Sequence, residues 1–298
     1  MSQMPRITLI TPSFNSAATI ERTLLSVERQ NYPNLQYICI DGNSTDGTVA
    51  ILNRYRHLIA RIISEPDKNV ADAVNKGFRL ADGEIYCYLN SDDELADNAL
   101  LTIVRYFADN PGVDVVTGSC RRVFEDKSEY ITHVNELYRE QMALRNPLEQ
   151  PSTFWRARVH QEAGEFDESY YYAFDWEMWN RFKVLDARFM VVDEVLSVYH
   201  FSETNLTSRA GQKVIDEMFR ITRTYGPCRG LIAYAYLLLF KLFDMKGYYD
   251  DFSKLSFGKK CFFQAVYFPL CKIFGKGNID AYNWNWASKQ IRGMVWYK

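Results

Sequence analysis

Short apolar runs alternate with longer amphipathic stretches along the first part of the chain. The apolar runs predict buried strands, and the stretches between them have the period of helices that pack on a sheet. Strands and helices that alternate at this spacing are typical of right-handed βαβ units on a parallel sheet. The predicted strands are 7–12, 35–40, 61–64, 85–89 and 113–117, and the predicted helices are 17–30, 48–57, 71–80 and 96–108. Further along, the sequence predicts a β-hairpin at 119–133, a helix at 135–145 and a strand at 150–155.

Two adjacent carboxylates, Asp92 and Asp93, follow the strand at 85–89 where it meets a loop. Open α/β sheets bind ligands at the carboxyl ends of their strands. Neighbouring carboxylates repel each other unless a cation or hydrogen-bond donors offset their charge. Mg²⁺ or Mn²⁺ bound to substrate phosphates would do so, because both ions prefer oxygen ligands. The alternative is a solvated pair that caps the helix at 96–108.

The turn after the first strand, at 11–15, contains no glycine. A dinucleotide-binding sheet would carry G-x-G-x-x-G at this turn, and the chain has no P-loop motif either. Phosphates therefore need a partner other than a glycine-rich backbone. The Asp92–Asp93 pair with a divalent metal is the candidate.

The loop after the second strand carries two further aspartates. Asp41 stands at the strand end, where it can accept hydrogen bonds from a ribose or from a base N–H. The alternative is an Asx-turn that Asp41 closes with Gly42 and Asn43. Asp46 is predicted to cap the helix that follows it rather than to contact a ligand.

Asp175 lies within an aromatic run at 171–182. Partial desolvation raises the basicity of a carboxylate, which suits a general base near neutral pH. The same residue also fits the N-cap of a helix over 176–185, and the two roles are compatible. Glu177 and Arg181 have the spacing of an i,i+4 ion pair and are predicted to be structural, with Glu177 as the second candidate base.

Composition excludes some classes of protein. The net charge is −2, which gives no general attraction to nucleic acid. The six cysteines form no C-x-x-C pair, which favours reduced thiols in a cytoplasmic protein over a disulfide or zinc framework. No signal peptide precedes the first strand, and no run of 18 apolar residues predicts a spanning helix.

The last part of the chain, 225–298, differs from the rest. It has nine lysines and two arginines against four aspartates, a net charge of +7, and it is rich in aromatic residues. Bases interleaved with large apolar side chains suit helices that lie in a membrane interface and meet anionic lipid. We therefore expect a peripheral attachment to the inner face of the membrane. The alternative is a helical subdomain that packs on the sheet or on a second subunit, as in a homodimer.

Four motifs, at 11–15, 40–48, 64–77 and 90–93, resemble those of the family 2 glycosyltransferases of GT-A fold, particularly members that build bacterial surface polysaccharides. The resemblance implies an α/β, Rossmann-like GT-A domain over 1–224, with a mostly parallel sheet flanked by helices, and a helical, aromatic and basic extension over 225–298. It also implies that Asp93 binds Mn²⁺ or Mg²⁺, although this chain has Ser-Asp-Asp rather than a strict D-x-D. The residues that it implies for nucleotide and sugar binding are Thr11, Pro12, Phe14, Asn15, Asp41, Asp67, Lys68, Asn75 and Asp92.

By the same resemblance, Asp175 is the base that deprotonates the acceptor, with Phe174 replacing the glutamate usual before it. Lys68 or Lys76 would offset phosphate charge, although a solvated helix face is the favoured interpretation of Lys76. His200 would reach the metal or the diphosphate, next to a lid-like loop at 202–208.

The implied reaction is an inverting transfer of a sugar from a nucleotide-sugar, expected to be a UDP-sugar, to an acceptor hydroxyl. A glycan or a lipid-linked sugar is the expected acceptor. Three alternatives stay open. They are a sugar nucleotidyltransferase, which the glycine-free turn disfavours, a non-catalytic nucleotide-binding scaffold, and a membrane-surface interaction module.

Overall fold

The computed structural model describes residues 4–134, 140–202 and 211–287. The chain divides into two compact units, one of Met1–Glu136 with Leu148–Ser202 and the other of Leu137–Pro147 with Glu203–Lys298. The second unit thus begins before residue 225, where the sequence places the boundary. It includes the helix Gln212–Tyr225 and a short segment from the middle of the chain.

The first unit is an α/β fold in which helices flank a sheet, as the sequence predicts. Its strands are β1 (Ile7–Ser13), β2 (Leu35–Asp41), β3 (Arg61–Ser64), β4 (Ile85–Tyr88), β5 (Glu94–Leu95), β6 (Val115–Val123), β7 (Glu129–Thr132), β8 (Thr153–Arg156) and β9 (Phe189–His200). Its helices are α1 (Ile20–Glu28), α2 (Thr48–Arg54), α3 (Val70–Phe78), α4 (Ala99–Asp109), α5 (Ala157–Ala163) and α6 (Phe174–Val184).

The strands are ordered β3-β2-β1-β4-β8-β6-β9-β5, with β7 paired to β6. The four strands β3, β2, β1 and β4 are parallel, as predicted. β8 lies antiparallel between β4 and β6, and β6 pairs in parallel with β9. β6 therefore keeps the predicted parallel direction but does not lie beside β4. The predicted hairpin is confirmed, because β6 and β7 pair antiparallel.

The two faces of the sheet have different cores. On one face, α1 and α4 pack aliphatic side chains such as Leu24 and Ile103 against the strands. On the other face, the ring of Trp155 lies 5.3 Å from that of Trp179 on α6. Gly77 lets α3 approach β1 closely, since a Cβ there would lie 2.6 Å from Cγ2 of Ile10. This packing fixes the strand ends from which the site is built.

The second unit is helical. Its helices are α7 (Gln212–Tyr225), α8 (Ile232–Leu242), α9 (Phe257–Phe274), α10 (Lys276–Asp280) and α11 (Tyr282–Asn285). Its core is aromatic, with the ring of Tyr236 packed on those of Tyr282 and Trp286. Within the described ranges, no helix has both the length and the apolar character needed to cross a membrane.

Two predicted segments fall partly outside the described residues. The helix predicted at 135–145 begins in such a stretch, and its described end, 140–145, forms turns rather than an α-helix. The predicted lid-like loop lies outside the described residues from position 203 onward.

Candidate active site

The candidate site lies at the carboxyl edge of the sheet, where the strand order reverses between β1 and β4. β2 and β3 continue on one side of β1, and β4 begins the other side. Open α/β sheets bind ligands outside the carboxyl ends of their strands at such a reversal of strand order. The residues that follow these two strands include Phe14 and the Asp92–Asp93 pair.

Hydrogen bonds tie the loops of this edge together. The backbone N–H of Asn15 donates to Ser44 Oγ (2.8 Å), and Thr45 N–H donates to Asn15 Oδ1 (3.0 Å). Asn15 has a φ of 47°, a left-handed conformation that asparagine tolerates better than most residues. The hydroxyl groups of Ser16 and Ser91 lie 2.7 Å apart and join the β1 loop to the segment before Asp92. Asn15, which the sequence predicts to contact the nucleotide, thus also joins the loop after β1 to the loop after β2.

Asp41 is fully buried at the end of β2 and is surrounded by donors. Its Oδ2 accepts hydrogen bonds from Ser44 N–H (2.9 Å) and Ser64 Oγ (2.7 Å). Its Oδ1 accepts from the hydroxyls of Ser13 and Ser44. The turn that Asp41 closes therefore runs to Ser44, in line with the Asx-turn alternative. The contact of Asp41 with a nucleotide stays a prediction. Such a contact requires one of these hydrogen bonds to break.

Thr11 and Pro12, also predicted to contact the nucleotide, are buried at the end of β1. Thr11 Oγ1 accepts a hydrogen bond from the hydroxyl of Tyr37 (3.0 Å). In this structure both residues shape the strand end rather than present polar atoms to solvent, so their ligand contacts stay predictions.

Phe14 and Asp67 both lie against Gly42. A Cβ at Gly42 would lie 2.5 Å from Oδ2 of Asp67 and 3.2 Å from Cδ2 of Phe14. The Phe14 side chain is 63% exposed, which is unusual for an aromatic ring beside a sheet edge. Burial raises the pKa of Asp67, and the charges of Asp72 and Asp41 add to this, against the opposing effect of Lys76. An exposed ring beside a carboxyl group suits a nucleobase, which offers a face and an N–H.

Asp92 and Asp93 differ in exposure. Asp92 is partly exposed, whereas Asp93 is fully buried. Burial raises the pKa of Asp92. Burial also raises the pKa of Asp93 well above its usual range, and the charge of Asp92 adds to the effect. Within the described part of the chain, Oδ1 of Asp93 has no hydrogen-bond partner. The charges of Arg22 and His200 oppose the rise for Asp92, and that of Arg22 opposes it for Asp93. The negative charge of the pair is therefore compensated only in part.

Helix α1 and a 3₁₀ turn hold the backbone of this pair in place. Arg22 donates to the carbonyl oxygen of Asp92 (2.7 Å), and Thr23 donates to that of Asp93 (2.7 Å). Gln150, in the 3₁₀ turn Gln150–Ser152, donates to the carbonyl of Tyr88 (2.6 Å) and accepts from Asn90 (3.2 Å). Sequence reasoning missed Gln150, because its partners are far away in the chain.

His200, predicted to reach the metal or diphosphate, ends β9. Its Nε2 lies 2.7 Å from Oε1 of Glu94, while Oε2 of Glu94 accepts a hydrogen bond from Arg29 (3.1 Å). The hydrogen bond from His200 is the main cause that lowers the pKa of Glu94. His200 is near enough to Asp92 to oppose the rise in the pKa of that carboxyl. A metal bond through Nε2 would require the contact with Glu94 to break.

Asp175 is the second residue of α6, which begins at Phe174 rather than at 176. Its Oδ1 accepts a hydrogen bond from the N–H of Trp176 (2.6 Å). Asp175 therefore lies in the first turn of the helix rather than at the N-cap. In the first turn, the helix dipole favours an ionised carboxylate. Burial raises the pKa of Tyr88 well above its usual range, and the charges of Asp175 and Asp93 add to this. Tyr88 thus lies near both carboxylates.

Asn75, predicted to contact the nucleotide or sugar, is buried on α3. Its Nδ2 donates to the carbonyl of Phe166 (2.9 Å), and its Oδ1 accepts from the N–H of the same residue (2.9 Å). The ring of Phe166 lies 5.8 Å from that of Tyr88 and 5.5 Å from that of Phe174. Asn75 therefore positions the residues beside Asp175, a role that sequence reasoning missed.

The predicted phosphate partners Lys68 and Lys76 both have carboxylate neighbours. Lys68 Nζ lies 2.6 Å from Oε2 of Glu168. Lys76 Nζ lies 3.0 Å from Oε1 of Glu65, and only 17% of its side chain is exposed. The preferred interpretation of Lys76 as part of a solvated helix face is therefore wrong. A phosphate contact by Lys68 requires it to leave Glu168.

Two structural assignments made from the sequence are confirmed. Asp46 accepts a hydrogen bond from the N–H of Thr48, the first residue of α2 (3.0 Å). Arg181 and Glu177 form the expected i,i+4 ion pair, with 2.8 Å between Nη2 and Oε2. Both predictions depend on short spacings, which a sequence displays directly.

Comparison with known proteins gives a consistent result. The family model described as Glycosyl transferase family 2 matches residues 8–164, more than half of the chain. A GalNAc(5)-diNAcBac-PP-undecaprenol beta-1,3-glucosyltransferase of Campylobacter jejuni is 31% identical over 121 residues, which are 39% of this chain and 38% of that protein. The putative teichuronic acid biosynthesis glycosyltransferase TuaG of Bacillus subtilis is 39% identical over 93 residues, 30% of this chain and 37% of that protein. The matched segment thus spans less than half the length of these relatives.

Solved structures support the GT-A fold. The structure of S. aureus TarS 1-349 in complex with UDP-GlcNAc has a TM-score of 0.63 at 18% identity, and covers 93% of this chain and 89% of that chain. The mannosyltransferase PcManGT from Pyrobaculum calidifontis, in complex with GDP-Man and Mn²⁺, has a TM-score of 0.60 at 18% identity, and covers 97% of this chain and 89% of that chain. At these identities the likeness shows the fold alone.

The two hydrogen bonds between the side chain of Asn75 and the backbone of Phe166 lead to a prediction. Asn75→Ala should destabilise the protein without changing its affinity for UDP. The change leaves buried backbone groups of Phe166 unpaired, which costs about 1–3 kcal/mol for each group. Asp67→Asn should do the opposite, with little loss of stability and weaker UDP binding. Chemical denaturation and calorimetric titration with UDP measure the two effects. If the Asn75→Ala protein has normal stability but binds UDP more weakly, Asn75 contacts the ligand, as the sequence predicts.

Proposed function

This chain belongs to glycosyl transferase family 2, and from that premise we propose that it transfers a sugar from a UDP-sugar to an acceptor hydroxyl with inversion at the anomeric carbon. The observation that carries the proposal is the partly compensated Asp92–Asp93 pair at the switch point of the sheet, in the same compact unit as the exposed Phe14 ring and Asp175. UDP is the proposed nucleotide because TarS, which has this fold, was solved with UDP-GlcNAc.

Phe14 and Asp67 form the proposed base-binding part of the site. The exposed ring of Phe14 can stack on the uracil, while the carboxylate of Asp67 accepts its ring N–H. Asp41 contributes through its hydrogen bonds to Ser44 and Ser64, which order the neighbouring loops. A direct contact between Asp41 and the nucleotide requires rearrangement of these donors.

The Asp92–Asp93 pair fits a divalent cation, Mn²⁺ or Mg²⁺. The unpartnered Oδ1 of Asp93 and the raised pKa of both carboxyls mark a site that a further positive charge would stabilise. Among the described residues, no group of three or more histidine, cysteine, aspartate or glutamate side chains is arranged to hold a metal ion. Donor phosphates and water would therefore supply the remaining ligands, as is usual for Mg²⁺. When bound, the cation supplies Lewis-acid stabilisation of the departing diphosphate.

The burial of Asp93 bears on which carboxylate binds the cation directly. Solvent does not reach Asp93, so an ion that enters with the donor meets the partly exposed Asp92 first. We propose Asp92 as the direct ligand and Asp93 as a second negative charge behind it. The direct bond from Asp93 that the sequence predicts requires Oδ1 of Asp93 to become accessible.

Asp175 is the proposed general base. Its carboxylate takes the proton from the acceptor hydroxyl as that oxygen bonds to the anomeric carbon. The bond from the anomeric carbon to the diphosphate oxygen breaks on the opposite face, and UDP leaves. One displacement of this kind inverts the configuration. Asn75 and Phe166 contribute by fixing the start of α6, which carries Asp175.

The proposed acceptor is a glycan on a lipid carrier, used at the cytoplasmic face of the membrane. Support comes from the relatives, because the Campylobacter jejuni enzyme is named for an undecaprenol-linked substrate and TuaG for teichuronic acid biosynthesis. The two matched segments cover 39% and 30% of this chain.

The metal assignment predicts opposite effects of Asp92→Asn on the free and the ligand-bound protein. Removal of one of two repelling carboxylates should leave the free protein at least as stable as wild type. It should also abolish the extra stabilisation by UDP with Mn²⁺, about 2.7 kcal/mol in wild type with the ligand at a hundred times its Kd. Thermal melts with UDP, with and without Mn²⁺, measure both effects.

Asp97→Asn is the matched control, because the Asp97 side chain is 82% exposed and lies near the same loop. The Asp97→Asn protein should show the same Mn²⁺-dependent rise in melting temperature as wild type. If the Asp92→Asn protein also shows this rise, Asp92 is not a metal ligand. If only the Asp93→Asn protein loses the rise, Asp93 is the direct ligand.

The base assignment predicts that Asp175→Asn lowers kcat by about 10²- to 10⁴-fold, the usual contribution of general base catalysis, and leaves UDP binding intact. UDP release from UDP-sugars, with membrane-lipid extract as the source of acceptor, measures turnover. Asp186→Asn is the control, since Asp186 is exposed just after α6 with a φ of 57°, which asparagine accepts. Near-native turnover of Asp175→Asn would exclude Asp175 as the base.

A further inference from the structure

Helix α9 is apolar and largely exposed. It extends over 18 residues, Phe257–Phe274, and Phe263 is its single buried residue. Phe257 is 84% exposed, Phe268 is 59% exposed and Ile273 is 66% exposed. Exposed apolar residues are common singly, but a contiguous set on one helix indicates an interaction surface.

The exposed residues share one side of the helix. At about 100° per residue, Phe257, Cys261, Ala265, Phe268, Phe262 and Ile273 fall within one half of the helix circumference. We call these six residues the α9 face. The opposite side packs into the second unit, where the ring of Phe263 lies 4.9 Å from that of Phe243. α9 is thus anchored by one side and has an apolar surface on the other.

The charged residues of α9 and of the segments next to it in the chain are all positive from 252 to 279. Residues 252–279 contain no aspartate or glutamate but include five lysines. Lys254 and Lys276 pair with Asp251 and Asp280, which flank this stretch. Lys259 and Lys272 are exposed on the helix itself. A surface that combines large apolar side chains with lysines matches a layer of anionic headgroups over hydrocarbon.

A second copy of the chain fits this surface less well. A two-fold contact would bring the same patch of each copy together, and Lys259 and Lys272 of both copies with it. With no acidic residue in 252–279, these like charges would have no partner in that stretch.

The length of α9, about 27 Å for 18 residues, suits a helix that lies flat in a membrane interface.

We propose that the α9 face docks on an anionic membrane surface, with Phe257, Phe268 and Ile273 inserted between headgroups and Lys259 and Lys272 beside phosphates. This assignment differs from the expectation for the whole tail, because α8 has most of its apolar side chains, including Ile232 and Phe240, in the core of the second unit. It goes beyond the proposed reaction and would bring the enzyme to an acceptor held on a lipid.

Vesicle co-sedimentation of the full chain tests the proposal without any use of transferase activity. We expect binding to vesicles of phosphatidylcholine with phosphatidylglycerol, and much weaker binding to phosphatidylcholine alone. Replacement of Phe257 and Phe268 by serine should weaken binding about tenfold or more, because the inserted apolar area is lost. Lys272→Glu should weaken it about fivefold or more on the anionic vesicles alone.

Val184→Ser is the matched control, because Val184 is an apolar residue of the first unit with 69% exposure. It should bind vesicles as wild type does. Thermal melts should show every variant folded, since the replaced side chains have few packing partners. Wild-type protein that binds neither kind of vesicle, or serine variants that bind as tightly as wild type, would overturn the proposal. A dimer that dissociates in the serine variants, without vesicle binding by wild type, would assign the α9 face to a second copy instead.

Discussion

Repulsion between the carboxylates of Asp92 and Asp93 is the constraint around which the first unit is arranged. The pair follows a fully buried strand, and Oδ1 of Asp93 has no hydrogen-bond partner among the described residues. Arg22 and His200 offset only part of the rise in the pKa of Asp92. Such a site is stable only if the surrounding structure fixes the backbone firmly. Arg22 and Thr23 from α1 hold the two backbone carbonyls, and Gln150 fastens the strand end from the other side. The backbone that carries the two carboxylates is therefore fixed in place for the cation and the diphosphate that we propose.

The same constraint explains the second half of the site. Tyr88, the last residue of β4, lies near both Asp93 and Asp175, so the proposed metal-binding pair and the proposed base share a neighbour. Aromatic rings from Phe166 and Phe174 pack around Tyr88, and Asn75 fixes Phe166 through both of its backbone polar groups. These aromatic rings join the end of β4 to the start of α6, which carries the proposed base. They thereby set the distance between the proposed base and the Asp92–Asp93 pair, which we propose holds the donor.

Local signals in the sequence were enough to predict β1–β4, the helices between them and the capping role of Asp46. The carboxyl edge of the sheet was predictable too, because strand ends follow from apolar periodicity. The roles of Asp41 and Asn75 were not, since their partners Ser64 and Phe166 come close only after folding. Likewise, nothing local shows that β8 enters the sheet between β4 and β6. In the second unit, composition indicated an interfacial surface, but only packing distinguishes the half-buried α8 from the open face of α9.

The central claim is that the Asp92–Asp93 edge binds a nucleotide through a divalent cation. Electron paramagnetic resonance of Mn²⁺, titrated with the wild-type protein in the presence and absence of UDP, tests it most directly. The account predicts that the signal of free aqueous Mn²⁺ falls when protein and UDP are both present, well below its level with UDP alone. If the signal with protein and UDP equals that with UDP alone, the carboxylate pair does not hold the metal, and the proposed mechanism is wrong at its first step.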